Sequence, residues 1–182
     1  VALRYSVTDR DDQIGNTTYG LGKEPVSLYY GRSGTLDWLP IASDLAATGT
    51  VLWDTTKVSD GDYDLQMVVK GVSARNEKEI GRVTVDNTPP VFTVTSEPRF
   101  TKGEPVAIAV ESSEQLKKVP MLTVAQFNHE PVSVTLEADV LDRNFTGTYE
   151  VIPGFDGPAQ ISVSGKDLAG NMSTIVVGED AF

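Results

Sequence analysis

Two adjacent prolines near the middle of the chain constrain its fold more than any other feature. They close the run Asp86-Asn87-Thr88-Pro89-Pro90. A proline has a fixed φ angle and no amide N–H, so neither a helix nor a central strand can pass through this pair. The residue before a proline is also driven towards an extended conformation. This run therefore predicts a short, stiff linker between two domains, which we place at residues 1–88 and 89–182.

Apolar residues alternate with polar or small residues along most of the chain of 182 residues. The rows expected to face inward are Val1, Leu3, Tyr5 and Val7; Val26, Leu28 and Tyr30; Tyr63, Leu65, Met67 and Val69; Val106, Ile108 and Val110; Val132, Val134, Leu136 and Ala138; and Ala159, Ile161 and Val163. A period of two predicts strands with one buried face, as in an antiparallel sandwich. Only residues 112–118 could be helical, and they are too few to form a stable helix alone. The sequence thus predicts an all-β fold with two tandem antiparallel β-sandwiches.

The two halves of the chain also resemble each other. In the first half, the alternating row that begins at Tyr63 follows the pairs Gly49-Thr50 and Asp60-Gly61. In the second half, the alternating row that begins at Ala159 follows the pairs Gly147-Thr148 and Asp156-Gly157. The Gly-Thr pairs lie 98 positions apart and the Asp-Gly pairs 96. A repeat of this length corresponds to one sandwich domain.

Composition narrows the range of functions. The net charge of −11, from 26 acidic and 15 basic residues, argues against nucleic-acid binding, which needs clustered Lys and Arg. No apolar run approaches the roughly 18 residues of a membrane span. The absence of cysteine disfavours a small secreted eukaryotic domain, because such domains usually depend on disulfides. Since the chain starts at Val1 without a visible signal peptide, we expect it to be a piece of a longer or processed protein.

The sequence does not predict an enzyme. His129 is the only histidine and lies in a polar turn, and no cysteine is present to act as a nucleophile or a zinc ligand. Phosphate-binding glycine loops are also missing, because Gly20-Leu21-Gly22-Lys23 does not open a helix. A pair of carboxylates could serve glycoside hydrolysis, a case that geometry alone decides.

Several motifs resemble those of immunoglobulin-like and fibronectin type III-like modules in bacterial extracellular proteins. They are residues 26–30 (VSLYY), 38–41 (WLPI), 49–54 (GTVLWD), 60–63 (DGDY), the junction 86–90 (DNTPP) and the loop 165–171 (GKDLAGN). The first half lacks the last of these loops and has a charged hairpin at residues 70–78 instead. The resemblance covers nearly the whole chain and implies tandem sandwich modules.

The resemblance also implies a function without catalysis. Such modules act as spacer, adhesion or presentation domains of larger secreted or cell-surface proteins, whose flanking domains are their first partners. The alternative is an accessory pair of a secreted hydrolase that binds polysaccharide or protein. An exposed Trp38 could stack on a sugar ring, whereas Trp53, inside a strand, is expected to pack in a core. Tyr63 could form a tyrosine-corner hydrogen bond.

Acidic residues at the expected junction suggest calcium, which accepts six to eight oxygen ligands. In an immunoglobulin-like path the loops of both halves would present carboxylates there. The candidates are Asp9, Asp11, Asp12, Asp60, Asp86 and Asp167, with Glu114 and Asn171 beside them. The competing interpretation is local turn chemistry, because Asp and Asn side chains readily bond to nearby backbone N–H groups.

Overall fold

The computed structural model describes residues 1–8, 21–71, 75–97 and 101–177, without the side chains of residues 22 and 23. Within these ranges the chain forms fourteen β-strands and no α-helix, so the all-β prediction is confirmed. All strand pairs are antiparallel, and the chain divides into two units, Val1–Asn87 and Thr88–Phe182. No helix in the described ranges is long and apolar enough to cross a membrane.

In its described residues, the first unit contains six strands in two sheets. They are β1 (Ala2–Ser6), β2 (Leu21–Arg32), β3 (Leu39–Leu45), β4 (Thr48–Leu52), β5 (Gly61–Gly71) and β6 (Arg75–Val85). One sheet has the order β3-β2-β5-β6, and β1 pairs with β4 in the other. A 3₁₀ turn at Thr55–Lys57 lies between β4 and β5. The Asp54 side chain caps this turn by accepting a hydrogen bond from the backbone N–H of Thr56.

The described part of the second unit contains eight strands in two four-stranded sheets. They are β7 (Phe92–Glu97), β8 (Val106–Ser112), β9 (Met121–Gln126), β10 (Val132–Val134), β11 (Glu137–Ala138), β12 (Asn144–Tyr149), β13 (Ala159–Lys166) and β14 (Met172–Val177). The sheet orders are β10-β9-β13-β14 and β11-β12-β8-β7.

Both units use the same strand order. The sheet β3-β2-β5-β6 corresponds strand by strand to β10-β9-β13-β14, and the pair β1-β4 corresponds to the pair β8-β12. The second unit adds β7 and β11 at the two edges of its other sheet. The similarity of the two halves in sequence is therefore matched by their topology.

Each unit has its own buried cluster. In the second unit, both sheets contribute fully buried side chains, among them Val106 and Phe145 from one sheet and Val124, Ile161 and Val163 from the other. Burial of this kind contributes roughly 25 cal/mol for each Å² of apolar surface removed from water. In the first unit the main cluster is Trp53, Tyr63, Leu65 and Val85.

The alternating pattern fails in several of the predicted rows. Val1, predicted to face inward, is 50% exposed. In β5, Tyr63 and Leu65 are buried as predicted, but Val68 is buried on the opposite face while Met67 and Val69 are only half-buried. In the second unit, the predicted row from Val132 to Ala138 is divided between β10 and β11, which belong to different sheets.

The segment that the sequence singled out as the only helical candidate, residues 112–118, is not helical. It leaves β8 at Ser112 and passes into bends, and Leu116 forms an isolated bridge with Asp167. The Leu116 side chain is 1% exposed and belongs to the core of the second unit. Burial of one leucine in an extended segment outweighs the weak helical tendency of seven residues.

Candidate functional site

A loop in the first unit holds the end of the last strand of that unit. The backbone N–H of Asn87 donates a 2.7 Å hydrogen bond to Oδ1 of Asp60. Nδ2 of Asn87 donates to the carbonyl oxygens of Thr55 and Val58, at 3.1 and 3.0 Å. The neighbouring Asp86 is half-buried. The structure thus brings the predicted residues Asp60 and Asn87 together. The three hydrogen bonds of Asn87 attach the end of the first unit to this loop.

Two further side chains fix the same loop. The hydroxyl of Tyr63 donates to the carbonyl oxygen of Ser59 at 2.8 Å, which confirms the predicted hydrogen bond from this tyrosine back to the chain. Arg32, at the end of β2, donates to Oγ of Ser59 at 2.9 Å and to the carbonyl oxygen of Asp60 at 3.4 Å. The loop is therefore tied to β2, to β5 and to Asn87, two residues after the end of β6.

The loop between β13 and β14 is organised by a buried carboxylate. Asp167 is 0% exposed, and its Oδ1 accepts from the backbone N–H groups of Gly170 and Asn171 at 2.6 and 2.8 Å. Its Oδ2 accepts from Nδ2 of Asn171 at 2.8 Å. Asn171 also donates to the carbonyl oxygen of Thr88 at 3.4 Å, within the second unit. These contacts are the local turn chemistry that competed with calcium in the sequence interpretation of Asp167.

The predicted calcium ligands fall into three groups. Asp9, Asp11 and Asp12 lie outside the described residues. Asp60 and Asp86 belong to the first unit, whereas Glu114 and Asp167 belong to the second. The calcium site stays a prediction.

A second carboxylate with a structural role, Asp139, was not singled out by the sequence. It lies between β11 and β12, where Oδ1 accepts from the N–H groups of Leu141, Arg143 and Asn144 at 3.1, 3.0 and 3.3 Å. Oδ2 accepts from Nδ2 of Asn144 at 2.8 Å. These donors, the Asn144 amide first, lower the pKa of Asp139 from 3.8 to about 2. The loop displays Val140 with 98% of its surface exposed.

The two tryptophans occupy different environments. Trp53 is 5% exposed, and its ring centroid lies 4.8 Å from that of Tyr30 and 5.7 Å from that of Tyr63, so its predicted place in a core is confirmed. Trp38 is half-buried in the loop between β2 and β3, where its ring lies against Gly31. A Cβ at Gly31 would lie 2.8 Å from the carbonyl oxygen of Asp37 and 3.3 Å from Cε3 of Trp38, so the absence of a side chain makes room for the Asp37 backbone and the indole.

Exposed leucines flank Trp38. Leu36 has 89% of its surface exposed, and Leu39, at the start of β3, has 54%. Together with Trp38 they form an apolar loop, which we call the Trp38 loop. It offers one aromatic and two aliphatic side chains to a ligand.

A shallow groove of about 510 Å³ crosses the outer face of the sheet β11-β12-β8-β7. Its residues include Ala107 and Ala109 of β8, with Thr95, Thr146 and Thr148 on the neighbouring strands and Glu97 and Glu137 on the outer strands. The groove presents methyl groups, hydroxyls and two carboxylates. It can accept a polar ligand by hydrogen bonding.

A second cavity of about 480 Å³ lies among the loops at 101–103 and 151–157 of the same unit. The only histidine is in the turn after β9, as the sequence indicates. Nδ1 of His129 lies 2.7 Å from the carbonyl oxygen of Glu130, and its ring contacts Phe155 edge to face with a centroid distance of 4.6 Å.

Comparisons with known proteins find similarity among solved structures and not among family models or curated sequences. No protein-family model matches the chain, and no curated protein sequence matches it. The chain is similar to a solved structure described as "Crystal structure of tetra-tandem repeat in extending region of large adhesion protein", with 17% sequence identity and a TM-score of 0.44. The match covers 89% of this chain and 43% of that one, so this chain spans less than half the length of its neighbour. A TM-score this low transfers neither a family nor a function.

Proposed function

We propose that the chain is a tandem pair of immunoglobulin-like or fibronectin type III-like sandwich modules without catalytic activity. They act as spacer, adhesion or presentation domains of a larger secreted or cell-surface bacterial protein. Support comes from the shared strand order of the two units and from a separate buried cluster in each. A spacer needs units that keep their shape, and a closed apolar core meets that need.

The observation that carries this proposal is that Asn87 and Thr88, on either side of one peptide bond, are both held by hydrogen bonds. Asn87 is held by Asp60, Thr55 and Val58 of the first unit, and the carbonyl oxygen of Thr88 accepts from Asn171 of the second. We infer from these attachments, each within its own unit, that the connector has few freely rotating bonds. The next two residues, Pro89 and Pro90, have φ angles fixed by their rings. Such a connector transmits force and resists bending better than a flexible linker.

Distances between two spin labels test this proposal. The chain has no cysteine, so the variants Ser43→Cys in the first unit and Thr148→Cys in the second provide two unique labelling sites at exposed strand positions. We expect a narrow distance distribution. Insertion of Gly-Ser-Gly-Ser between Asn87 and Thr88 should broaden it strongly.

A control insertion of four prolines at the same place adds length with little flexibility, so its distribution should shift and stay narrow. A wild-type distribution as broad as that of the Gly-Ser variant would contradict the stiff connector. The melting temperature of each variant shows whether both units remain folded.

The second candidate function is an accessory module that binds polysaccharide or protein, and the Trp38 loop favours it. A half-exposed tryptophan between two exposed leucines is unusual for a loop that has only a structural role. Binding to a polysaccharide panel should be lost in Trp38→Ala and largely kept in Trp38→Phe, which retains an aromatic face. An absence of binding by the wild type would leave the spacer function alone.

Calcium is the cofactor that the sequence suggests for this proposal. Titration of chelator-treated protein with CaCl₂ should raise the melting temperature, because a ligand that binds only the native state stabilises it. Asp86→Asn should reduce this rise, whereas Asp156→Asn, in an exposed loop of the second unit, should not. An equal rise in both variants would place the metal elsewhere.

A further inference from the structure

The strands β6 and β14 occupy equivalent edges of equivalent sheets but differ sharply in charge. Each is the last strand in its sheet order, β3-β2-β5-β6 and β10-β9-β13-β14. The edge strand β6 carries Arg75, Glu77, Lys78, Glu79 and Arg82. The edge strand β14, Met-Ser-Thr-Ile-Val-Val, carries no charge and no proline. Charged residues on an edge strand are a common protection against pairing with another chain.

The other outer strands of the four-stranded sheets are also protected. Pro40 lies in β3, whose pairing with β2 has two register shifts. The strands β10 and β11 are three and two residues long, and β7 ends in Glu97. The strand β14 pairs with β13 over six residues without a register shift, as β7 does with β8, but β14 has no charged residue. Among these outer strands in the described part of the chain, β14 alone is regular, uncharged and of ordinary length.

The side chains of β14 show which kind of strand would fit beside it. Ile175 and Val177 pack against the buried cluster of the second unit but remain only half-buried. On the opposite face, Met172 and Val176 are 57% and 56% exposed. A strand added here would need aliphatic residues at alternate positions to cover Ile175 and Val177. It would also have to be uncharged, because β14 offers no counter-charge.

We propose that β14 is an interface for a second copy of this chain, in which two β14 strands pair antiparallel across a twofold axis. The strand β14 itself meets both requirements, since its aliphatic residues recur on each face and no register brings like charges together. Backbone N–H and C=O groups on the side of β14 away from β13, where no other described strand pairs, supply the hydrogen bonds, as in other cases of strand addition. The same surface serves both partners, which is the geometry of an isologous dimer.

The proposed dimer has a characteristic dependence on salt. Pairing six residues buries a small area, so the association is weak and suited to molecules held at high local density. Each chain carries a net charge of −11, so two copies repel each other at low ionic strength. Salt screens that repulsion, and association should strengthen from about 0.05 to about 0.5 M NaCl. An interface held by salt bridges would show the opposite trend.

Sedimentation over a concentration series tests the interface with matched variants. Thr174→Lys places a charge at an exposed position of β14, and Thr148→Lys places the same charge at an exposed position of β12, an inner strand of the other sheet. We expect wild type and Thr148→Lys to associate alike, and Thr174→Lys to raise the dissociation constant by about tenfold or more. Val176→Lys is a second variant with the same expected effect, should Thr174→Lys lower the melting temperature.

Hydrogen exchange locates the contact. Amides of β14 should gain protection as the wild-type concentration rises, while those of β6 should not. The proposal is overturned by a wild type that stays monomeric up to about 1 mM at both salt concentrations. It is equally overturned by equal association of the two lysine variants, or by a gain of protection outside β14.

Discussion

The hydroxyl of Tyr149 donates a 2.7 Å hydrogen bond to Oε1 of Gln126, a side chain that is 7% exposed at the end of β9. Oε1 also accepts from the N–H of Ile152 at 2.7 Å, and Nε2 donates to the carbonyl oxygens of Ile152 and Phe155 at 3.3 and 3.2 Å. The amide therefore uses both of its donors and accepts two bonds. Gln126 holds the loop before β13, much as Tyr63 and Asn87 hold the corresponding loop of the first unit.

Replacement of Gln126 by leucine should destabilise the second unit strongly. It leaves the N–H of Ile152 and two carbonyl groups without their partner, and each such loss costs about 1–3 kcal/mol. We expect a total loss of at least about 3 kcal/mol in the free energy of unfolding. Tyr149→Phe removes only one of the bonds and should cost about 1 kcal/mol. Urea unfolding measures both, and equal effects of the two variants would contradict the central role of the amide.

Gly147 allows the chain to cross between the two sheets of the second unit. A Cβ there would lie 2.6 Å from the carbonyl oxygen of Thr135 and 2.9 Å from Cδ2 of Leu136, in the segment that passes from β10 to β11. Since the closest atom belongs to the backbone, Gly147→Ala should cost about 1–3 kcal/mol of unfolding free energy.

Gly49, the corresponding glycine of the first unit, provides a control. A Cβ there would meet the hydroxyl end of the Tyr5 side chain at 2.7 Å. This half-buried side chain can move aside, so Gly49→Ala should have the smaller effect on the melting temperature. A larger effect at Gly49 than at Gly147 would show that the crossing segment is the more adaptable of the two.

Asp139 should make the stability of the second unit sensitive to acid. Its pKa is lowered from 3.8 to about 2 by the donors around it, so the folded state favours the carboxylate. The stabilisation is fully present above about pH 5 and is lost as the pH falls towards 2. Asp139→Asn should therefore lower the melting temperature at pH 7 and have much less effect near pH 2.

Asp156→Asn, in an exposed loop of the same unit, serves as the control for that pH series. A difference between wild type and Asp139→Asn that remains constant from pH 7 to pH 2 would show that the ionised carboxylate is not the stabilising form.

Trp53 is the largest side chain in the aromatic cluster of the first unit. Its ring packs on Tyr30 and Tyr63, and it is 5% exposed. Trp53→Ala should reduce the free energy of unfolding by about 3–5 kcal/mol, because it opens a large cavity. Tyr63→Phe keeps the ring and loses only the bond to Ser59, so it should cost about 1 kcal/mol. Thermal unfolding followed by near-ultraviolet circular dichroism would measure both, and a change within one degree for Trp53→Ala would contradict its burial.

Strands whose alternation is uninterrupted could be predicted from the sequence. The rows Val106, Ile108 and Val110 of β8 and Ala159, Ile161 and Val163 of β13 are all buried, because each strand has one face on the core and one in water. The row from Val132 is divided because the chain changes sheets after Val134. The alternation of apolar and polar residues continues across this change, so the sequence pattern does not reveal it.

The polar residues that organise loops were harder to predict. Gln126 follows an apolar strand as a single polar residue, and only the fold shows that its partners are Ile152 and Phe155, more than 20 positions away. Asp139 had a local signal, an asparagine five residues later in a polar turn, which is typical of side-chain capping. Asn87 was identified from its place before the prolines, but its three bonds to the loop at 55–60 depend on tertiary structure.

Mechanical unfolding of a single molecule tests most directly whether the chain consists of two autonomous modules. When the chain is pulled from its two ends, the account predicts two separate unfolding events, each releasing roughly 300 Å of chain at about 3.6 Å per residue. Gln126→Leu should lower the force of one event and leave the other unchanged, which assigns the events to the units. A single event that releases about twice that length, or a change in both events on this substitution, would contradict the account.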